Sequence, residues 1–239
     1  MLVPALGAAR TRAKAVICEA NLGQIGLAVI VYAGDNRDAI PRGPTCAGPF
    51  DFSCADLASN QLWIGSANPF HSKQYNGLGA LLKHYATSRE VLYCPADDTN
   101  DPEEELPRIG TENDAFSSYM YRQVDFLPAD RRRGLLSDLG VNEVADRRVR
   151  VEALALDMNS LGPQAMDLWR TNHGGRVVNL LFRDRSVRTI ENRGNLFSLP
   201  AEVFFSPDQI PRRIDQILLI ADYAYRHKPD QAPRLAEDP

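Results

Sequence analysis

The N-terminal stretch constrains the fold more than any other part of the chain. Cys18, Leu22, Ile25, Val29 and Tyr32 recur at spacings of four, three, four and three, which places them on one face of an α-helix. Pro4 falls in the first turn, where its missing N–H has no helical partner to lose. Gly34-Asp35-Asn36 supplies a stop, and Pro41 prevents simple continuation. The pattern predicts a helix of roughly thirty residues, about 45 Å long at 1.5 Å per residue. A typical globular helix has about a dozen residues. Ahead of the stripe, Leu2, Leu6, Ala9, Ala13 and Ile17 form a second apolar set with no evident core to enter.

The rest of the chain reads as short strands and turns. Residues 37 to 75 are rich in proline and glycine and predict a long loop. Leu78 to Tyr85 predicts a short helix with Asn76 as its cap. Val91-Leu92-Tyr93 predicts a strand stopped by Pro95, Ser117 to Val124 a second, and Val149 to Leu156 a third leading to Asp157. Leu135 to Leu139 suggests a helical turn. Val177 to Phe182 and Ser186 to Ile190, joined by Arg183-Asp184-Arg185, predict a hairpin. A last helix follows Pro207, with Ile214, Ile217, Leu218, Ala221 and Tyr225 on its apolar face. A long N-terminal α-helix followed by mostly antiparallel strands defines an α+β fold. The organisation expected is an N-terminal helix over 1–36, an α+β head over 37–200, and a C-terminal helix and tail over 201–239.

Composition excludes some functions. Of the 239 residues, 44 % are hydrophobic and 24 % charged, as expected of a folded globular chain. A net charge of −4, without aromatic residues interleaved among basic ones, argues against nucleic acid as a partner. The basic clusters at Arg131 to Arg133 and Arg147 to Arg150 are flanked by acids and read as solvated surface. No window reaches the roughly eighteen consecutive apolar residues of a membrane helix, and the best, Leu22 to Ala33, is broken by Gly23, Gln24 and Gly26.

The four cysteines allow three pairings. Cys46 and Cys54 share one loop, whose closure by a disulfide would contribute about 2–3 kcal/mol on the chain-entropy model. Cys18 faces the helix stripe and Cys94 follows Tyr93; the two could be bridged or remain as buried thiols. A zinc site is not expected, because no Cys-x-x-Cys spacing occurs and the chain has only 4 histidines.

Three blocks of the sequence resemble the type IV pilin and type II secretion pseudopilin group. The first runs from Leu2, Pro4, Ala5 and Leu6 through a basic stretch to Cys18 and Asn21-Leu22-Gly23-Gln24-Ile25-Gly26-Leu27-Ala28, ending at Tyr32-Ala33-Gly34-Asp35-Asn36. The second is Cys94-Pro95-Ala96-Asp97. The third is His173-Gly174-Gly175 followed by Asn179, Phe182 and Asp184. Where that group carries Asp-Gly-His, this chain has Asp184-Arg185-Ser186, and one residue between the histidine and the glycines is missing.

The resemblance implies a pilin-like fold, in which the Cys18 to Tyr32 stripe packs on an antiparallel sheet. It implies a non-enzymatic structural subunit of a type II secretion or type IV pilus-like filament. Its partners would be other pilin-like subunits and further copies of itself, and it would be tied to the inner membrane by an N-terminal helix that this sequence lacks. Leu2, Leu6, Ala9, Ala13 and Ile17 would serve assembly. The expected location is extracytoplasmic, membrane-anchored in the full-length form, where disulfides persist. Because the group's cysteines fall at these two blocks, a Cys18–Cys94 bridge is expected beside Cys46–Cys54. No cofactor is expected, apart from the calcium known in major pseudopilins, for which Asp97, Asp98 and Asp101 are the available carboxylates.

One segment invites a chemical reading. His173 could act as acid, base or ligand, with Asp157 and Asp184 near it, and this defines an alternative: a secreted hydrolase or metal-dependent enzyme centred on His173. No nucleophile elbow, His-Glu-x-x-His or phosphate loop accompanies it. The plainer expectation is a turn into the Val177 strand, with His173 as a hydrogen-bonded brace and no catalytic residue. A third reading is a binding module on a pilin scaffold, with the 37 to 75 loop as its contact surface.

Overall fold

The computed structural model describes residues 2–44, 59–66, 71, 73–123, 134–144, 147–162, 169–206 and 209–233. Helix α1 spans Leu2–Asp35, 34 residues, a rod of about 51 Å at the usual rise. Strands β1 (Ser59–Ile64), β2 (Gln74–Tyr75) and β3 (Ala115–Tyr121) follow, with the short helix α2 (Pro102–Glu105) between the last two. A hairpin of β4 (Val141–Val144) and β5 (Arg147–Arg150) precedes β6 (Ala153–Leu156), β7 (Asn159–Leu161) and β8 (Trp169–Arg170). The chain closes with β9 (Val177–Phe182), β10 (Val187–Glu191), β11 (Ser198–Leu199) and helix α3 (Gln209–Ala224). The principal sheet has 6 strands in the order β10-β9-β6-β3-β1-β2, and its pairings are antiparallel. The fold is α+β.

Period-two alternation along the central strands separates two cores. Tyr119, Tyr121 and Leu181 point to the side on which Cys18, Leu22, Ile25 and Val29 of α1 are buried. Leu180, Phe182 and Val178 point to the other, where Ile217, Leu218 and Ala221 of α3 pack. The two helices therefore cover opposite faces of one sheet. Contact with α1 is close: a Cβ added at Gly26 would lie 2.9 Å from the Leu181 side chain. The predicted stripe is buried except at Tyr32, which is half-buried and stacks edge-on against Tyr85. Burying Leu22, Ile25 and Val29 contributes about 1.5–3 kcal/mol each before ordering entropy.

Among the described residues, nothing covers the opposite face of α1. Leu6 is 73 % exposed, Ile17 49 % and Leu27 44 %, while Ala9 and Ala13 are exposed as well. By length and composition, Ala9–Asp35 is apolar enough to cross a membrane, contrary to the expectation from consecutive apolar residues. The glycines and Gln24 that interrupt the run do not outweigh its flanking aliphatic residues.

Local expectations divide by how much tertiary contact decides them. The β9–β10 hairpin and α3 form as predicted. Val91 and Leu92 lie in a 3₁₀ turn, Glu90–Leu92, not a strand; the Asn21 side-chain amide donates to the Tyr93 carbonyl and holds that turn against α1. Leu78 lies in a 3₁₀ helix, Gly77–Lys83, whose preceding Asn76 makes no side-chain cap. The expected strand over Val149 to Leu156 is broken between β5 and β6. Leu135 to Leu139 forms isolated bridges instead of a helical turn. Cys46, Cys54 and Arg131 to Arg133 lie outside the described residues.

Candidate functional site

Four separate elements deliver four ligand-type side chains to one point beneath α1. Cys18 comes from the buried stripe of the helix. Cys94 follows the Glu90–Leu92 turn, which Asn21 ties to α1. Asp157 follows the end of β6, and His173 opens the 3₁₀ turn His173–Gly175 that leads into β9. Their ligand atoms all lie within 4.8 Å of one another, and all four residues are buried. His173, Gly174 and Gly175 each have positive φ, at 52°, 60° and 72°. Glycine adopts this backbone freely and histidine rarely does. The two glycines thus let the chain reverse sharply, and the strained residue is the one aimed into the cluster.

The contacts converge heavily on two atoms. His173 Nε2 lies 3.0 Å from Asp157 Oδ2, 3.4 Å from Cys94 Sγ and 3.1 Å from Asn179 Nδ2. Asp157 Oδ2 also accepts from the Cys18 thiol at 3.2 Å and from Asn179 Nδ2 at 2.8 Å. Asp157 Oδ1 accepts from the Asn179 backbone N–H at 2.6 Å. Asn179 is held in turn by Thr189, whose hydroxyl donates to its side-chain carbonyl at 2.6 Å. The Tyr119 hydroxyl lies 3.3 Å from Cys18 Sγ. His173 Nδ1 is buried with no hydrogen-bond partner among the described residues.

The electrostatics follow from this crowding. The Cys94 thiol is lowered to about 6, first by hydrogen bonding from Cys18, against the opposing effect of burial, and further by His173. For His173 burial works to lower the pKa, yet the hydrogen bonds to Asp157 and Cys94 overcome it and raise the ring to about 10. Tyr119 is pushed well above the usual phenol range, chiefly by burial. Two sulfurs, one carboxylate oxygen and one imidazole nitrogen form a donor set that could hold a soft or borderline metal ion. The His173 side chain is 1 % exposed and that of Asp157 0 %, so both groups are shielded from solvent.

The expected site residues distribute unevenly. His173, Asn179, Asp157 and the two cysteines meet. Asp184 does not: it accepts from Ser186 at the hairpin turn and from the Tyr225 hydroxyl at 2.7 Å. The Cys18–Cys94 bridge is not formed; both are free, buried thiols, each engaged by a polar group of the cluster. Asp97, Asp98 and Asp101 are spent on local structure. Asp97 pairs with Arg170 at 3.2 Å, Asp98 accepts from Thr171, and Asp101 caps α2 through the Glu103 N–H. Among the described residues, those three carboxylates form no ligand group.

A second buried polar centre went unpredicted. Asp222 of α3 accepts both terminal nitrogens of Arg122, each at 2.9 Å, together with the Glu152 and Ala153 backbone N–H groups and the Asn142 amide. The signal was present, since an aspartate flanking Leu218 and Ala221 on an apolar helix face needs a partner. No protein-family model, curated protein or solved structure matches the chain.

Proposed function

We propose that this chain is a non-enzymatic, pilin-like subunit of a type II secretion or type IV pilus-like filament, located outside the cytoplasm and held at the membrane in its full-length form. One observation carries the reading: α1 is apolar on two faces, and among the described residues only one of them is covered. Cys18, Leu22, Ile25 and Val29 enter the core, while Leu6, Ile17, Leu27 and Val31 stay exposed. A free subunit gains nothing from an exposed aliphatic face, and such faces mark association surfaces. Repeating one heterologous helix contact generates a filament. An α-helix laid on an antiparallel sheet is the arrangement the three sequence blocks led us to expect. The partners are then other surfaces of α1 in neighbouring copies or in related subunits.

The enzyme reading centred on His173 is less well supported, because His173 is sealed from solvent and Asp184 is elsewhere. Cysteine cross-linking in cells tests the assembly reading. Paired cysteines at Ala13 and Leu27 of the full-length protein should give a ladder of cross-linked species. Ile17→Arg should abolish the ladder while leaving the thermal transition unchanged. A protein that stays monomeric in its native membrane, indifferent to Ile17→Arg, would overturn the reading.

A further inference from the structure

We propose that Cys18, Cys94, Asp157 and His173 form a closed, structural zinc(II) site that staples α1 to the sheet. This goes beyond the assembly reading and stands whether or not a filament forms.

The first argument is geometric. Zinc bonds of about 2.0–2.3 Å in a tetrahedron place neighbouring ligand atoms about 3.3–3.8 Å apart. The separations 3.2 Å for Cys18 Sγ to Asp157 Oδ2, 3.4 Å for Cys94 Sγ to His173 Nε2 and 3.0 Å for His173 Nε2 to Asp157 Oδ2 lie near those edges. All of the ligand atoms fall within 4.8 Å. Small outward movements would open the centre for one ion.

The second argument is the hydrogen-bond count. A ring nitrogen carries one proton or one lone pair in its plane, yet His173 Nε2 has three polar neighbours within 3.4 Å. Hydrogen bonding satisfies one of them. A cation at the common focus satisfies Nε2, both sulfurs and Oδ2 at once.

The third is charge. Two thiolates, a carboxylate and a neutral imidazole around Zn²⁺ leave one net negative charge, the same as a Cys₃His structural site. The nearby donors suit that residue of charge. Asn179 gives its backbone N–H to Asp157 Oδ1 and its amide to Oδ2, leaving the carboxylate oriented as an outer-shell partner would hold it. Tyr119 stands beside Cys18 Sγ. Binding displaces the thiol protons to solvent, with no change of oxidation state. Two sulfurs with nitrogen and oxygen, near-tetrahedral, select zinc over calcium or magnesium, which take oxygen ligands. Four protein ligands and complete burial leave no open position, so the site holds structure and performs no catalysis.

Cobalt(II) substitution of the intact chain is the direct test. The chain, purified under reducing conditions and loaded with Zn²⁺, should retain about one equivalent through dialysis, and chelation should lower its melting temperature. Co²⁺ should give thiolate-to-cobalt charge transfer with intense tetrahedral d–d bands, lost on adding Zn²⁺. Cys18→Ser with Cys94→Ser should abolish the charge transfer. Should that variant fail to fold, the wild-type cobalt spectrum decides alone. Substoichiometric retention, a cobalt spectrum without thiolate bands, or equal binding by the folded double variant would each overturn the proposal.

Discussion

The two long helices are fastened to the sheet in contrasting ways. α3 is apolar on one face only, and its buried Asp222 is fully matched: a bidentate guanidinium, two backbone N–H groups and an amide surround one carboxylate. α1 is apolar on both faces, and its polar anchor is an excess of ligand atoms crowded on one focus. β6 separates the two anchors, with the Ala153 N–H given to Asp222 at one end and Asp157 following the other. The contrast teaches how to read buried polar groups. A set whose donors and acceptors cancel is finished structure, whereas several ligand-type atoms crowded on one point are the arrangement on which the zinc proposal rests.

The contrast breaks most severely if either helix is not held by its apolar face. Ile25 is 1 % exposed and Ile217 0 %. A charge at either position is buried without a partner. Both Ile25→Asp and Ile217→Asp should abolish the cooperative thermal transition, as followed by circular dichroism. A retained transition in either would show that its stripe is not the core contact.

Next in size is the matched anchor. Removing one partner of a buried ion pair costs about 3–5 kcal/mol, because the other charge stays behind. Asp222→Ala should therefore lose that much in urea unfolding, and the loss relative to wild type should be the same with and without zinc. Replacing both partners, Arg122→Met with Asp222→Leu, should recover much of the loss. If the single variant is neutral, Arg122 has another partner and Asp222 does not anchor α3 to the sheet.

Much of this was legible in the residues, and the limits have physical causes. The α1 stripe, α3 and the β9–β10 hairpin follow from periodicity and turn chemistry, which act over a few residues. Val91-Leu92-Tyr93 has strand composition, yet the segment is the Glu90–Leu92 turn, tied to α1 by Asn21, far away in sequence. The metal-type cluster escaped for the same reason. Its ligands come from four separated segments, so no local Cys-x-x-Cys spacing announces them. The sequence marks Cys18 and Cys94 as a bridge or as buried thiols and His173 as a brace, and only the tertiary fold brings them together as one group. Asp184 looked equivalent to Asp157 in sequence, since both end strands, yet it sits at the hairpin turn against Tyr225.

The unmatched anchor should respond to metal where the matched one does not. At free zinc about a hundredfold above its dissociation constant, a site present only in the folded state stabilises by about 2.7 kcal/mol. Wild type and Asp222→Ala should gain equally from zinc, since the two centres share no side-chain partner and independent terms add. Cys94→Ser should gain nothing. Unequal gains in wild type and Asp222→Ala would mean that β6 couples the two anchors.

A last comparison separates a matched carboxylate from one that burial leaves raised on the same helix. Asp215 lies nearly two turns before Asp222, and burial raises it from 3.8 to about 7, with the Arg122 charge opposing only in part. Its folded pKa is above its unfolded one, so the folded state binds the extra proton. The ionised group is therefore a full penalty above pH 7, and the penalty is relieved as pH falls from about 7 towards 4. Asp215→Asn should melt higher than wild type at pH 8, and the difference should vanish by about pH 4. Every other titrating group is common to both proteins, so the difference isolates Asp215. A constant offset across that range would mean that the carboxylate titrates normally, and that α3 tolerates an ionised aspartate there without the partners Asp222 requires.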